Sequence, residues 1–155
     1  MAEDDLKPCN IRIDKEGKWF YMGVEMIKKE IINDLYRYLD RLEDGRYILN
    51  MNGQRCIIEV EDCPFVVLSV NIVGEIDRSP SAYILKLNDD STEELIPETL
   101  FIGKENVPYC MVKGGRFQAR FSRSAYYQLA SKIEQRDGIF YLPLKDKRYM
   151  IEIKS

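Results

Sequence analysis

Histidine is absent from all 155 residues, and the four cysteines, Cys9, Cys56, Cys63 and Cys110, include no Cys-x-x-Cys pair. These absences remove the commonest zinc and haem ligand sets and every mechanism that needs an imidazole base. Ser122 and Ser124 therefore have no imidazole to activate them as nucleophiles. No apolar run approaches the roughly 18–20 residues that a bilayer-spanning helix needs. The N-terminal Met1-Ala2-Glu3-Asp4-Asp5 is acidic where a signal peptide would be basic and then apolar. A cytoplasmic protein without membrane insertion is expected. Excess positive charge is missing too: the net charge of −3 argues against bulk attraction to nucleic-acid phosphates or anionic membranes. No strand-loop-helix of the G-x-x-x-x-G-K-[ST] type exists to hold a nucleotide for hydrolysis, and no cofactor motif is present, so no cofactor is expected. Cys56 and Cys110 lie inside apolar runs and read as buried free thiols in a reducing compartment.

What the chain does contain is one stretch used twice. Residues 44–60, opening Asp44-Gly45-Arg46-Tyr47, align without a gap on residues 137–153, opening Asp137-Gly138-Ile139-Phe140. Leu49, Arg55 and Glu59 coincide with Leu142, Arg148 and Glu152. Turn residues, an apolar run, a polar tip and a second apolar run predict a β-hairpin in each copy. A helical segment precedes each hairpin, and a further hairpin precedes each helix, so the unit is hairpin, helix, hairpin.

The first opening hairpin runs from Ile11 through the turn Lys15-Glu16-Gly17-Lys18 to Trp19-Phe20-Tyr21-Met22. Ile27, Ile31, Ile32, Leu35, Leu39 and Leu42 then fall on one face of a helix of about four turns, which Gly45 should cap. Phe65 to Ile72, apolar and β-branched, suits a central strand covered on both faces. The second opening hairpin pairs 108–112 with 117–121, burying Phe117, Ala119 and Phe121 on one face. Ser122 should cap a helix carrying Ala125, Tyr126, Leu129, Ala130 and Ile133. The expected organisation is a loose terminus over 1–9, a first half over 10–73, a seam over 74–108 that lends strands to the C-terminal subdomain, and a second half over 109–155. The fold class is α+β: duplicated units forming antiparallel sheets with two helices.

Ile11-Arg12-Ile13-Asp14, Trp19, Tyr21-Met22-Gly23, Glu43-Asp44-Gly45-Arg46-Tyr47, Val60-Glu61-Asp62, Pro64-Phe65-Val66, Pro108-Tyr109 and Val112-Lys113-Gly114-Gly115 follow one another in an order that resembles a bacterial family catalogued as domain of unknown function 1285. The resemblance covers nearly the whole chain from Ile11 and departs between Val73 and Leu100 and in the closing strands. It implies a core made by duplication, a C-terminal half superficially similar to pleckstrin-homology folds, and a ligand-binding or signal-transduction role at the surface between the halves. It implies no catalytic residue.

Candidate site residues are basic. Lys28 and Lys29 in the first turn of helix one, and Arg123 in the first turn of helix two with Arg120 just before it, oppose the partial positive charge of free backbone amides, a placement that an anionic ligand would relieve. The bland alternative is solvation, or pairing with Glu25, Glu30 or Asp34. Lys113-Gly114-Gly115-Arg116 could cradle an anion through backbone amides, or be a tight hairpin turn needing positive φ. Arg55 with Glu59, and Arg148 with Glu152, should form surface ion pairs. Trp19, Phe20, Tyr21, Tyr36, Tyr38, Tyr126 and Tyr127 could stack bases, but in an acidic chain they read as core rim, and no nucleic-acid partner is expected. Two function classes follow. One is a non-catalytic module binding a small anionic ligand or a protein partner in the groove between the halves. The other is an enzyme using Asp14, Glu61, Asp62 or Lys113. No metal site is expected.

Overall fold

The computed structural model describes residues 6–74 and 79–154, and its Cα trace divides into two units, one ending at Pro64 and one starting at Phe65. The first unit runs β1 (Lys7–Ile13), β2 (Trp19–Tyr21), β3 (Val24–Glu25), α1 (Lys29–Tyr36), β4 (Leu39–Arg41), β5 (Tyr47–Met51) and β6 (Gln54–Val60). Its sheet has the order β3-β2-β1-β6-β5-β4 and is antiparallel except at β1–β6. Asp14 Oδ1 closes the β1–β2 turn by accepting from the backbone N–H of Glu16 and Lys18, both at 2.9 Å. The core beneath α1 is Ile13, Trp19, Ile32, Tyr36, Leu39 and Leu49, all buried. Trp19 meets Tyr36 edge-on at 4.8 Å, and the Tyr36 hydroxyl donates to the Pro64 carbonyl at 2.7 Å.

The second unit runs β7 (Phe65–Val73), β8 (Ala82–Leu87), β9 (Thr92–Glu94), β10 (Phe101–Ile102), β11 (Pro108–Val112), β12 (Phe117–Phe121), α2 (Arg123–Ala130), β13 (Glu134–Arg136), β14 (Ile139–Leu144), β15 (Lys147–Met150) and β16 (Glu152–Ile153). One sheet has the order β16-β10-β11-β12-β7-β8-β9 and another β13-β14-β15. The expected central strand is β7, held between β12 in parallel and β8 antiparallel. Only Phe65, Val66 and Val67 are buried in succession; past the register shift between Val67 and Ser69 the strand alternates, because one face there reaches solvent. Ser122 caps α2 as its sequence predicts, its Oγ accepting from the Ala125 N–H at 3.1 Å. Gln128 Oε1 ties the helix to β7 through the Val70 N–H at 2.7 Å.

The gapless repeat survives to the level of register. Leu49↔Cys56 and Met51↔Gln54 in β5–β6 become Leu142↔Tyr149 and Leu144↔Lys147 in β14–β15, each position 93 residues later. Both tips are two-residue turns with positive φ at each position: Asn52 and Gly53 (56° and 88°), Lys145 and Asp146 (51° and 63°). The opening hairpins match differently from the expectation. β1–β2 pairs Arg12↔Phe20 and Ile13↔Trp19, and β10–β11 pairs Phe101↔Tyr109 and Ile102↔Pro108, each 89 residues later. Both copies close in parallel at corresponding places, Arg12↔Glu59 and Phe101↔Glu152. The partner of β1–β2 is therefore β10–β11 rather than β11–β12, and the second copy starts near Phe101. This equivalence rests on hydrogen-bond topology, which local composition did not carry.

Four further expectations are corrected. Helix α1 stops at Tyr36 instead of running to Leu42, because Leu39, Asp40 and Arg41 pair with β5; Ile27 and Ile31 are left 84% and 47% exposed. Gly45, at φ 97°, then turns β4 into β5 rather than capping a helix. Cys56 is not a free thiol but bonds Cys9 across β1–β6, with Cα atoms 5.1 Å apart, whereas Cys63 and Cys110 are buried outside any disulfide. Strand β1 begins at Lys7, inside the terminus expected to be loose over 1–9; residues 1–5, and 75–78 of the loop expected over 74–81, lie outside the described residues.

Candidate functional site

Within the second unit the cross-strand pair Ile102↔Pro108 stands where the first copy has Ile13↔Trp19. Cross-strand partners share a sheet face, so the fully buried indole of the first copy gives way to a smaller buried ring in the second. Beside Ile102 lies a cavity of about 390 Å³. The helix contributes Tyr126 and Ala130, the segment after it Ile133 and Gln135, and the closing strands Phe140, Ile151 and Ile153, with Asn106 at the remaining side. The wall is held by backbone bonds: the Ile151 N–H to the Phe140 carbonyl and the Lys154 N–H to the Ile102 carbonyl, both 2.8 Å.

The cavity lining carries no charged side chain. Asn106 and Gln135 are exposed and Tyr126 half-buried, and their side chains make no hydrogen bond to other described residues. The lining is mostly apolar with a few amide and hydroxyl groups, the usual chemistry of a small-molecule site. Periodicity marked Tyr126, Ala130 and Ile133 as a helix face but could not tell a filled face from one beside a cavity.

The basic residues singled out in sequence belong to both units. Lys28 and Lys29 are exposed at the start of α1; Lys28 occupies the N-cap position without a side-chain cap. In the second unit Arg123 is exposed on the first turn of α2, which holds no acidic residue. Gly114 and Gly115 have φ of 70° and 85° and follow Lys113 at 56°, so the turn needs left-handed backbone. Arg116 lies over the Phe117 ring at 5.0 Å, and Arg120 is half-buried opposite Tyr109. The Lys113 ammonium is 2.8 Å from both Asp89 Oδ2 and Ser91 Oγ, and its backbone N–H meets the Glu93 carboxylate. Burial alone would raise the pKa of Asp89, but the bonds from Lys113 and Ser91 outweigh it and hold the carboxyl below its ordinary value. Lys113 thus joins the β11–β12 turn to the β8–β9 turn.

Two of the carboxylates considered for catalysis are engaged in turns: Asp14 as described, and Glu61 by accepting the Lys15 N–H at 2.9 Å. Arg148 pairs at 2.7 Å with Glu134, not Glu152, because the chain leaves β15 after Met150 and Glu152 joins β10. That bond is the main reason the Glu134 carboxyl sits below its ordinary pKa. Among the described residues no group of three or more Cys, Asp or Glu side chains is arranged to hold a metal ion, and no helix is long and apolar enough to cross a membrane.

Comparison with solved structures decides the fold. A DUF1285 family protein from Silicibacter pomeroyi DSS-3 matches with a TM-score of 0.79 at 22% identity, over 94% of this chain and 81% of that one. The fold is that of DUF1285 proteins. A second, from Shewanella baltica OS155, matches with a TM-score of 0.63 at 14% identity, over 80% of this chain and 91% of that one. No family model matches the chain, and no curated protein matches it.

Proposed function

We propose that the protein is a non-catalytic binding module whose second unit takes a small, neutral, mostly apolar molecule with one or two hydrogen-bonding groups. The observation that supports this is the uncharged cavity of about 390 Å³ beside Ile102, within the range of roughly 300–1,000 Å³ common for ligand sites. This reading replaces the groove expected between the halves with a pocket lined by one unit's own residues. A signalling role would follow from a partner reading the occupied state.

The test is a thermal-shift screen of neutral aryl and alkyl amides and alcohols, with amide NMR on the hits. A ligand at 100 times its Kd adds about 2.7 kcal/mol, which raises Tm by about 5–11 °C for a chain of this size. Shifted amides should cluster at 126–135 and 151–153. Ala130→Leu, and Pro108→Trp built after the first copy, should abolish binding while the protein still melts cooperatively. Undiminished binding in both variants would refute the site. Turnover of any hit would favour the enzyme reading, and titration of phosphate against Arg123→Glu tests the anion reading independently.

A further inference from the structure

Duplication provides an internal control: what one copy has and the other lacks is not required by the shared frame. In the second copy the surface formed by β10, β11 and β16 is closed. Phe101 stacks on Tyr109 at 5.2 Å, Lys154 lies over Phe101 at 4.3 Å, and the parallel register Phe101↔Glu152, Ile102↔Ile153 is unbroken.

The same two-residue register, Arg12↔Glu59 and Ile13↔Val60, closes the first copy, but there β1 extends back beyond it, where the matching residues 97–99 of the second copy form a short helical turn instead of a strand. Pairing of β1 with β6 runs Lys7↔Cys56 and Pro8↔Ile57, then resumes only at Arg12↔Glu59, so residues 9–11 oppose Ile58 alone. Asn10 within that bulge has φ 63°, and Met22, at the β2–β3 turn, has φ 51°. Left-handed backbone is uncommon outside glycine, and unusual for a side chain as long as Met. The two strained residues hold each other, the Met22 N–H donating to the Asn10 carbonyl at 2.9 Å. Bulges and strained backbone gather where a protein aims groups at a ligand. Here they wall a hollow of about 280 Å³ with Ile57 on the β6 side.

Two charges line the hollow. Arg12, where the second copy has Phe101, lies over Phe20 with its guanidinium carbon 4.4 Å from the ring centroid. Glu59 is its neighbour on β6. Among the described residues neither forms an ion pair, although they are ladder partners of opposite sign. The contact with the ring holds the guanidinium in place, and its N–H groups can bind a carboxylate through two parallel hydrogen bonds. The Glu59 carboxylate can take an ammonium group, and Ile57, Met22 and Pro8 offer an apolar wall.

We propose that this hollow binds a small zwitterion, a free α-amino acid with an aliphatic side chain: its carboxylate on Arg12, its ammonium on Glu59 and its side chain against Ile57 and Met22. The site lies wholly in the first unit and is independent of the cavity beside Ile102.

The experiment titrates leucine, 4-methylpentanoate (leucine without its amine) and isopentylamine (leucine without its carboxylate) into the full chain at low salt, followed by amide NMR. Leucine should shift the Asn10, Met22 and Glu59 amides, and each analogue should bind about fivefold more weakly, the factor that one partly exposed charge contact supplies. Arg12→Phe, the second copy's residue, should lose binding with its melting temperature kept. Glu59→Gln should make leucine and 4-methylpentanoate bind alike. The proposal is overturned if none of the three ligands shifts these amides, if wild type does not distinguish them, or if Arg12→Phe binds as wild type does.

Discussion

Replacing Lys113 with Met keeps most of the aliphatic stem, whose ammonium lies 5.4 Å from the Phe65 ring centroid, and deletes the charge held between Asp89 and Ser91. The two side chains of the ion pair are 29% and 11% exposed, so the pair is partly screened. Breaking a fully buried pair costs about 3–5 kcal/mol; with one partner near a third exposed, about 2 kcal/mol is expected near pH 7, or about 4–8 °C in Tm. The pH dependence carries the sharper test. In the wild type Asp89 titrates below its ordinary value near 3.8, so its contribution is present above that value and fades as pH falls through the folded pKa. In the variant burial acts without the lysine and favours the protonated acid, so the folded variant gains relative to the unfolded chain as pH drops. The stability gap between the two proteins should therefore be wide at about pH 7 and narrow at about pH 3. Urea denaturation at both pH values measures it, and Asp89→Asn combined with Lys113→Met should cost less than the sum of the single changes. An equal gap at both pH values, or no gap near neutrality, would refute the assignment of Lys113 to this network.

Val67 is fully buried where β7 lies between β12 and β8, so Val67→Asp should cost about 3–5 kcal/mol; a melting temperature within a degree or two of wild type would deny β7 its central place. Cys110 is also fully buried, and burial, with Glu93 nearby, pushes its thiol to about 12. A raised thiol pKa means stability that is present below the unfolded value near 9 and lost as pH rises toward 12. Iodoacetamide at mildly alkaline pH should thus label Cys110 only as fast as the protein unfolds, and prompt labelling of the native protein would count against a sealed core there.

The closing hairpins were legible because everything that sets them is local. Asp-Gly, a two-residue tip and alternating apolar positions fix register within 17 residues, and β5–β6 and β14–β15 carry it out identically. Ser122 was legible for the same reason. Helix α1 was not, since Leu39 and Leu42 keep helical spacing with Ile32 and Leu35, and only pairing with β5 shows that the chain has become a strand. The Cys9–Cys56 bond was hidden by distance, 47 residues in sequence and adjacent only through the parallel β1–β6 ladder. The site was the least legible part. Basic residues drew attention by being out of place electrostatically, yet Lys113 is held by its own chain. The cavity beside Ile102 is a volume left open, and such a volume has no residue type to announce it.

The parallel ladder that closes each copy also imposes an order on synthesis. Strand β1 can complete its sheet only when β6 has been made, and β10 waits likewise for β16. On a ribosome adding about 5–20 residues per second, the first unit can close while the second is still being translated. The second depends on Glu152 and Ile153, made only after α2 and the closing hairpin, so β10 is synthesised well before the strand that closes it. Until then the backbone of β10 facing Glu152 and Ile153 stays open, exposed to any other strand that arrives first.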